Sequence, residues 1–274
     1  ADLWADLWAG VGLMLVPDFT FADPAIVESS GLVVRDGLFV TVNDSGDRGR
    51  VFTVDGSGVT VGVTSWSPAP VDVEALAPAG DGEVWVGDIG DNTASRASVT
   101  VLRVPVGPGD RTVTPPAYTL VYPDGAHDAE TLLAAPDGRL LVVTKDLTGG
   151  TVYAAPRQLS TAEPNRLRPI ADALGFATDG SFFPDGRHYV VRGYGRAAVY
   201  TWPGSREVAS FRLPPQPQGE GIGVGEDGWV YLSSEGEHSR VLRDVAVSAW
   251  GWLRSAVVFA GGALRLLLGH GQAP

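Results

Sequence analysis

The sequence predicts an all-β fold, and within that class a five-bladed β-propeller, from three observations. Glycine (36 of 274 residues) and proline (20) are abundant and only 19% of residues are charged, which is typical of a folded, turn-rich domain. One motif recurs five times: a polar residue, an apolar residue two positions later, a turn such as "DG", and a second β-rich run. The copies are 44, 56, 48 and 42 residues apart, the length of one four-stranded blade, and begin at Ser30, Glu74, Glu130, Thr178 and Glu220.

The elements of each blade follow in order from this repeat. The residues before and after each turn glycine predict the two inner strands, because β-rich runs bounded by turn residues form hairpins. Four further segments, each bounded by Gly, Pro or Asp, predict the outer strands of blades 1 to 4. They are "VTVGVTSW", "AYTLVYPDG", "RLRPIADAL" and "EVASFRLP".

The fifth blade has no outer strand of its own in sequence order. The segment "LMLVPDFTFADP" before the first copy is strand-like, so we predict that it completes blade 5 and closes the ring. A six-bladed ring is the alternative, and it needs a sixth copy of the motif, which we do not find. The predicted propeller spans residues 22–245 and follows an N-terminal segment, residues 1–21, that is partly the closing strand.

The C-terminal tail, residues 246–274, has a different character. From Val245 to Leu268 it is apolar except for Arg254 and Arg265, and as a helix it is long enough to cross about 30 Å of hydrocarbon. The two arginines lie 11 residues apart and therefore project from nearly the same helical face, which suits an interfacial amphipathic helix equally well. We expect a helical tail that either contacts a membrane or docks onto the domain.

Charge and composition narrow the function classes. A net charge of −12 repels phosphate backbones, so nucleic-acid binding is disfavoured and cation binding is favoured. The chain has no cysteine, which excludes disulfides and thiolate sites, and it contains neither G-x-S-x-G nor H-E-x-x-H. It begins without Met and has no basic residue before Arg35, which is compatible with a processed N-terminus. We expect an extracytoplasmic protein, secreted or at the cell surface.

The first residues of the five copies predict a metal site on the propeller axis. The innermost strand of every blade lines the central channel, so equivalent positions converge, and three glutamates brought together repel unless a cation neutralises them. Oxygen ligands alone select a hard ion, and Ca²⁺ accepts several carboxylates and hydroxyls. The alternative is that the glutamates hydrogen-bond to amides of the adjoining blade. The predicted ligands are Ser30, Glu74, Glu130, Thr178 and Glu220.

A second ring is predicted at the end of the next strand, on the mouth of the channel. It combines acids with cations and could hold a metal-bound anion such as a phosphate ester, although surface salt bridging is the simpler explanation for each residue alone. Ser234, Glu235 and His127 are further members of this mouth. The candidates for catalytic roles are Asp44, Asp88, Lys145 and Arg192.

These motifs resemble the soluble calcium-activated nucleotidase (apyrase) family, over roughly residues 22–245. The resemblance rests on "SSGLVVRDGLFVTVNDSG", "VEALA", "HDAETLL", "GFATDGSFF" and "QGEGIGV". The chain also looks like uncharacterised actinobacterial phytase-esterase-like propellers. The nucleotidase resemblance implies an axial Ca²⁺ on the five ring residues, with Asp44, Lys145 and Arg192 near the phosphates. Thr178 stands where that family has Ser, and no aromatic clamp for a nucleotide base is evident.

Two functions are compatible with these observations. The first is a Ca²⁺-dependent hydrolase of phosphate esters or anhydrides, in which the ion polarises a phosphoryl oxygen, Arg192 and Lys145 offset the developing charge, and Asp44 or Asp88 orients water. The second is a non-catalytic binding or scaffold module that holds a protein or glycan partner on its loop-rich face.

Overall fold

A computed structural model of the chain describes residues 16–44, 46–80, 82–244 and 247–248, and it confirms the five-bladed propeller. Each blade is an antiparallel sheet of four strands running from the axis outward. Blade 1 contains β2 (Ser29–Arg35), β3 (Leu38–Asn43), β4 (Arg50–Asp55) and β5 (Thr60–Ser65). Blade 2 contains β6 (Val73–Pro78), β7 (Glu83–Asp88), β8 (Val99–Pro105) and β10 (Ala117–Val121). Blade 3 contains β11 (Ala129–Ala134), β12 (Leu140–Thr144), β13 (Gly150–Ala154) and β15 (Arg168–Ala173), and blade 4 contains β16 (Asp179–Phe182), β17 (His188–Arg192), β18 (Arg196–Thr201) and β19 (Glu207–Arg212).

The N-terminal strand closes the ring, as the sequence predicts. Blade 5 contains β20 (Gly219–Val224), β21 (Val230–Ser234) and β22 (Arg240–Asp244), and its outer strand is β1 (Val16–Thr20). β1 pairs with β22 in antiparallel register, with Thr20 opposite Arg240. The two ends of the domain are therefore joined in one sheet, which removes the exposed edge that β22 would otherwise present.

Two short strands were not expected from the sequence. β9 (Arg111–Thr112) leaves blade 2 and pairs in parallel with β5 of blade 1, and β14 (Asn165–Arg166) leaves blade 3 and pairs in parallel with β10 of blade 2. A two-residue strand carries no periodic pattern from which it could be predicted. Both cover the outer edge of the preceding blade.

The hydrophobic core is divided into five layers, one between each pair of neighbouring blades. Both faces of a blade are therefore buried, which explains why a strand such as β12, with the sequence LLVVT, is apolar without alternation and buried along its whole length. Close to the axis the layers become thin. A Cβ on Gly31 would lie 2.5 Å from the backbone nitrogen of Leu76, so glycine lets the inner strands of blades 1 and 2 approach each other.

Most of the predicted tail lies outside the described residues, as do residues 1–15 of the N-terminal segment. Of the tail, Val247 and Ser248 are described, and both are tied to blade 5. The amide of Val247 donates to Asp244 Oδ1 at 2.8 Å, and Ser248 Oγ accepts the amide of Val230 at 2.9 Å. Within the described ranges, no helix has the length and apolar character required to span a bilayer.

Candidate metal centre

The five predicted ring residues all lie in or beside the innermost strands and are all at least 95% buried. Four of them lie at the same kind of backbone irregularity, a β-bulge. The pairing between the first and second strands shifts register around Ser30, Glu74, Glu130 and Glu220, whereas blade 4 pairs without a shift. A β-bulge redirects the side chain that it contains, so the same irregularity positions three buried carboxylates around the channel.

The two hydroxyl members of the ring connect neighbouring blades. Ser30 Oγ donates to the backbone oxygen of Glu74 at 2.8 Å, and Thr178 Oγ1 donates to the backbone oxygen of Glu220 at 3.0 Å. Each hydroxyl thus fastens its own inner strand to the inner strand of the next blade. This geometry favours a structural role for both hydroxyls over the predicted role as metal ligands.

On one side of the channel, basic side chains already accompany the glutamates. Lys145 Nζ lies 2.5 Å from Glu130 Oε1. Burial raises the pKa of Glu130 to about 8, and the Lys145 ammonium opposes that rise. Burial also raises the pKa of Glu220, against the combined effect of Lys145 and Arg192. Blades 3 to 5 therefore supply their own countercharge.

On the other side, three carboxylates meet between blades 1 and 2. Asp44, Asp72 and Glu74 each offer an oxygen, and these oxygens all lie within 4.8 Å of one another. Burial raises the pKa of Glu74 to about 11, with the charges of Glu130, Asp44 and Asp72 adding to the rise, and it raises the pKa of Asp72 to about 6. In this geometry at least one carboxyl keeps a proton at neutral pH unless a cation takes its place.

The local backbone is shaped around this cluster. A Cβ on Gly90 would lie 2.4 Å from Asp72 Oδ2 and 2.8 Å from Glu74 Cγ, so a side chain there would displace both acids. Asp72 Oδ1 is buried and accepts no hydrogen bond from the described residues. A set of oxygen donors with one uncompensated buried oxygen fits a hard cation such as Ca²⁺.

Asp72 was missed by the sequence analysis, although a signal for it existed. It stands two residues before Glu74 in "VDVEALA", and alternate residues of a strand share a face. The equivalent position in blade 3, two residues before Glu130, is Asp128, whose Oδ1 accepts the amide of Asp91 at 2.8 Å. Of these two aspartates, Asp72 belongs to the three-carboxylate cluster.

Asp88 binds the backbone of the segment that carries Asp72. Its Oδ2 accepts the amide of Val71 at 3.0 Å, its Oδ1 accepts the amide of Asp72 at 2.9 Å, and Arg96 Nη2 lies 2.9 Å from the same Oδ1. Both oxygens are thus engaged by protein donors. The geometry favours Asp88 as a residue that positions Asp72, and its predicted role in orienting water has no support here.

Arg192 lies inside the protein, with none of its surface exposed. Its Nη1 donates to the backbone oxygen of Gly221 and to Gln216 Oε1, each at 3.1 Å, and its Nε donates to the backbone oxygen of Gly193 at 3.2 Å. Burial lowers its pKa to about 10, an effect that the charge of Glu220 opposes. The predicted position of Arg192 at the open mouth is therefore wrong, because its guanidinium is packed between blades 4 and 5.

Two further predicted mouth residues, Glu235 and His127, are bonded to neighbouring side chains of the protein. Glu235 Oε1 accepts a hydrogen bond from Gln218 Nε2 at 2.6 Å, and burial together with the charge of Glu220 raises the pKa of Glu235 to about 7. His127 Nε2 lies 3.1 Å from both Asp124 Oδ1 and Tyr153 OH.

Asp179 was also missed, and its carboxylate connects three blades. Its side chain is completely buried, and its oxygens accept backbone hydrogen bonds from Gly180 at 2.8 Å, from Ile222 at 2.8 Å and from Leu32 at 3.2 Å. These donors belong to blades 4, 5 and 1. Burial raises the pKa of Asp179, and the three amide donors and Arg192 oppose the rise.

Comparisons with known proteins identify the fold. No protein-family model and no curated protein matches the chain. The crystal structure of glutaminyl cyclase from Myxococcus xanthus is similar, with 12% identity and a TM-score of 0.51 over 84% of this chain and 100% of that one. A streptogramin B lyase structure also matches, with 12% identity and a TM-score of 0.43. That match covers 79% of this chain and 64% of the lyase. At this identity the likeness concerns the propeller fold alone, so the nucleotidase resemblance stays a prediction.

Proposed function

We propose that this protein is a Ca²⁺-binding propeller whose ion is held off the axis, between blades 1 and 2. The observation that carries the proposal is the cluster of Asp44, Asp72 and Glu74, with an oxygen from each lying within 4.8 Å of the other two. Three carboxylates at this separation repel strongly, and a divalent cation converts that repulsion into attraction.

The ligand chemistry and the charge distribution both favour this position over the predicted axial ring. Carboxylate oxygens without imidazole or thiolate select a hard cation, and Ca²⁺ tolerates an irregular set of ligands completed by water. Glu130 has its countercharge in Lys145, and Glu220 is offset by Lys145 and Arg192. On the side of blades 1 and 2, Arg96 is bound to Asp88 and opposes the raised pKa of Asp72, while no basic side chain of the described residues is recorded against Glu74.

A binding module fits the surroundings better than a hydrolase. Exposed apolar side chains stand on the loops around the mouth, with Val71 67% exposed and Leu147 73% exposed. Such side chains offer contact area to a partner whose acidic group completes the coordination of the ion. The partner is then a protein, a glycan or a small anionic ligand, and the ion is part of the contact.

Calorimetric titration of EDTA-stripped protein with Ca²⁺ tests the proposal. We expect saturable binding by the wild-type protein and loss of at least tenfold in affinity for Asp72→Asn, because one charged ligand is removed. The matched control is Asp227→Asn. Asp227 is exposed and lies in the turn between β20 and β21, at the end of blade 5 that faces away from the mouth. Equal affinities for all three proteins, or no binding by any of them, would overturn the proposal.

The Ca²⁺-dependent phosphohydrolase is the second candidate, favoured by the position of the carboxylate cluster at the mouth. Two of its predicted cationic and acidic groups, Arg192 and Asp88, are engaged within the protein, which weakens it. Phosphate release from nucleotides, pyrophosphate or simple phosphomonoesters, abolished by EDTA and by Asp72→Asn, would establish this activity. If millimolar Ca²⁺ supports no release, the binding module stands alone.

A further inference from the structure

Lys145 is the single lysine of the chain. The sequence contains 20 lysines and arginines together, so every other basic side chain of this kind is an arginine. Lys145 lies just beyond β12, beside the axial channel, and its side chain is 17% exposed. An ammonium is a compact point charge, whereas a guanidinium is a wide planar fork, so the two are not interchangeable in a narrow space.

The surroundings of Lys145 are those of a cation site. Its Nζ lies 2.5 Å from Glu130 Oε1, and Glu220 is near enough for its charge to act on Lys145. The ring of Tyr194 covers the ammonium, with 5.3 Å between Nζ and the ring centroid. Two carboxylates and an aromatic face thus surround one positive charge.

The two glutamates retain unused coordination capacity. Glu130 is 5% exposed and Glu220 is 3% exposed, and the Oε2 atom of each has no hydrogen-bond partner among the described residues. Buried acceptors of this kind normally face a donor, a water molecule or an ion. Without the ammonium, Glu130 and Glu220 would be two buried acids, and Arg192 would remain as a countercharge acting on Glu220.

We propose that the ammonium of Lys145 permanently occupies a second cation position of the channel, on Glu130 and Glu220, so that the channel takes up a single divalent ion. The inference rests on the proposed Ca²⁺ site at Asp44, Asp72 and Glu74 for the identity of that ion. Removal of the Lys145 ammonium then opens the second position to a divalent cation. Lys145 thereby sets the stoichiometry of metal binding.

Calorimetry with Ca²⁺ on EDTA-stripped protein measures this stoichiometry directly. We expect one ion per chain for the wild-type protein, two for Lys145→Met, and one for the double variant Lys145→Met with Glu130→Gln, which lacks both the ammonium and a ligand of the second position. A single ion bound by Lys145→Met with unchanged affinity would overturn the inference while leaving the proposed Ca²⁺ site intact.

Thermal unfolding covers the case in which Lys145→Met folds poorly without metal. Millimolar Ca²⁺ should then restore its melting temperature by several degrees more than it raises that of the double variant. An equal response of the two variants would overturn the inference. If the wild-type protein binds no Ca²⁺ and Lys145→Met binds one ion, the site on blades 1 and 2 is wrong and the role of Lys145 is supported.

Discussion

The carboxylate of Asp179 accepts a hydrogen bond from the backbone amide of Leu32 at 3.2 Å, although the two residues are 147 positions apart. The same Oδ2 atom accepts the amide of Ile222 at 2.8 Å. One side chain of blade 4 thereby satisfies backbone donors of blades 5 and 1. It therefore connects the last blade of the ring to the first. Asp179 therefore helps to close the ring from the inside, as β1 does from the outside.

Replacement of Asp179 by alanine should destabilise the propeller by at least about 2 kcal/mol, because it leaves the buried amides of Leu32 and Ile222 without acceptors. Urea unfolding followed by tryptophan fluorescence measures the change. Asp227→Asn, at an exposed turn where the side-chain oxygen can still accept the amide of Trp229, serves as the control and should remain within about 0.5 kcal/mol of the wild-type protein. A similarly small effect for Asp179→Ala would show that the three-blade connection contributes little.

Removal of residues 1–20 should lower the melting temperature and promote self-association, because it deletes β1 and leaves the edge of β22 unpaired. The deletion also removes Phe19, whose ring lies 4.7 Å from that of Phe39. Differential scanning calorimetry and size-exclusion chromatography measure the two effects. A deletion of residues 1–15, which keeps β1, is the control. Equal melting temperatures for the two truncations would contradict closure by β1.

Stability without metal should fall as the pH rises from 5 to 8. The pKa of Glu74 is raised to about 11 in the folded protein from an ordinary value of 4.5, so across this window the folded state holds a proton that the unfolded chain has released. A folded state that binds more protons loses stability as the pH rises, by at most about 1.4 kcal/mol per pH unit for one group.

Glu74→Gln separates this effect from other titrations, because the amide imitates the protonated carboxyl. In EDTA the variant should be more stable than the wild-type protein at pH 8, and its stability should vary less between pH 5 and pH 8, as measured by urea unfolding. Millimolar Ca²⁺ should reverse the order by stabilising only the wild-type protein. Parallel pH profiles for the two proteins would refute the assignment of Glu74.

The fold was predictable because its determinants repeat along the chain. Turn glycines at a fixed distance from Glu74, Glu130 and Glu220 revealed the blades, and a missing outer strand in blade 5 indicated closure by the N-terminus. The two-residue strands β9 and β14 were not predictable, since they form only when neighbouring blades are already in place.

The site was predictable only in part, for reasons that concern particular residues. The buried glutamates followed from the repeat, but the pairing of Glu130 with Lys145 and the burial of Arg192 depend on three-dimensional packing. Asp72 could have been found from its alternation with Glu74. Asp179 could not, because blade 4 lacks the β-bulge present in the other four blades and so presents a different residue to its neighbours.

Anomalous diffraction from crystals grown with Ca²⁺ tests the central claim most directly, because it locates the ion. We predict one peak, about 2.3–2.6 Å from carboxylate oxygens of Asp44, Asp72 and Glu74, and none between Glu130 and Glu220. A peak on the axis shared by the five ring residues, or no peak at saturating Ca²⁺, would contradict the account.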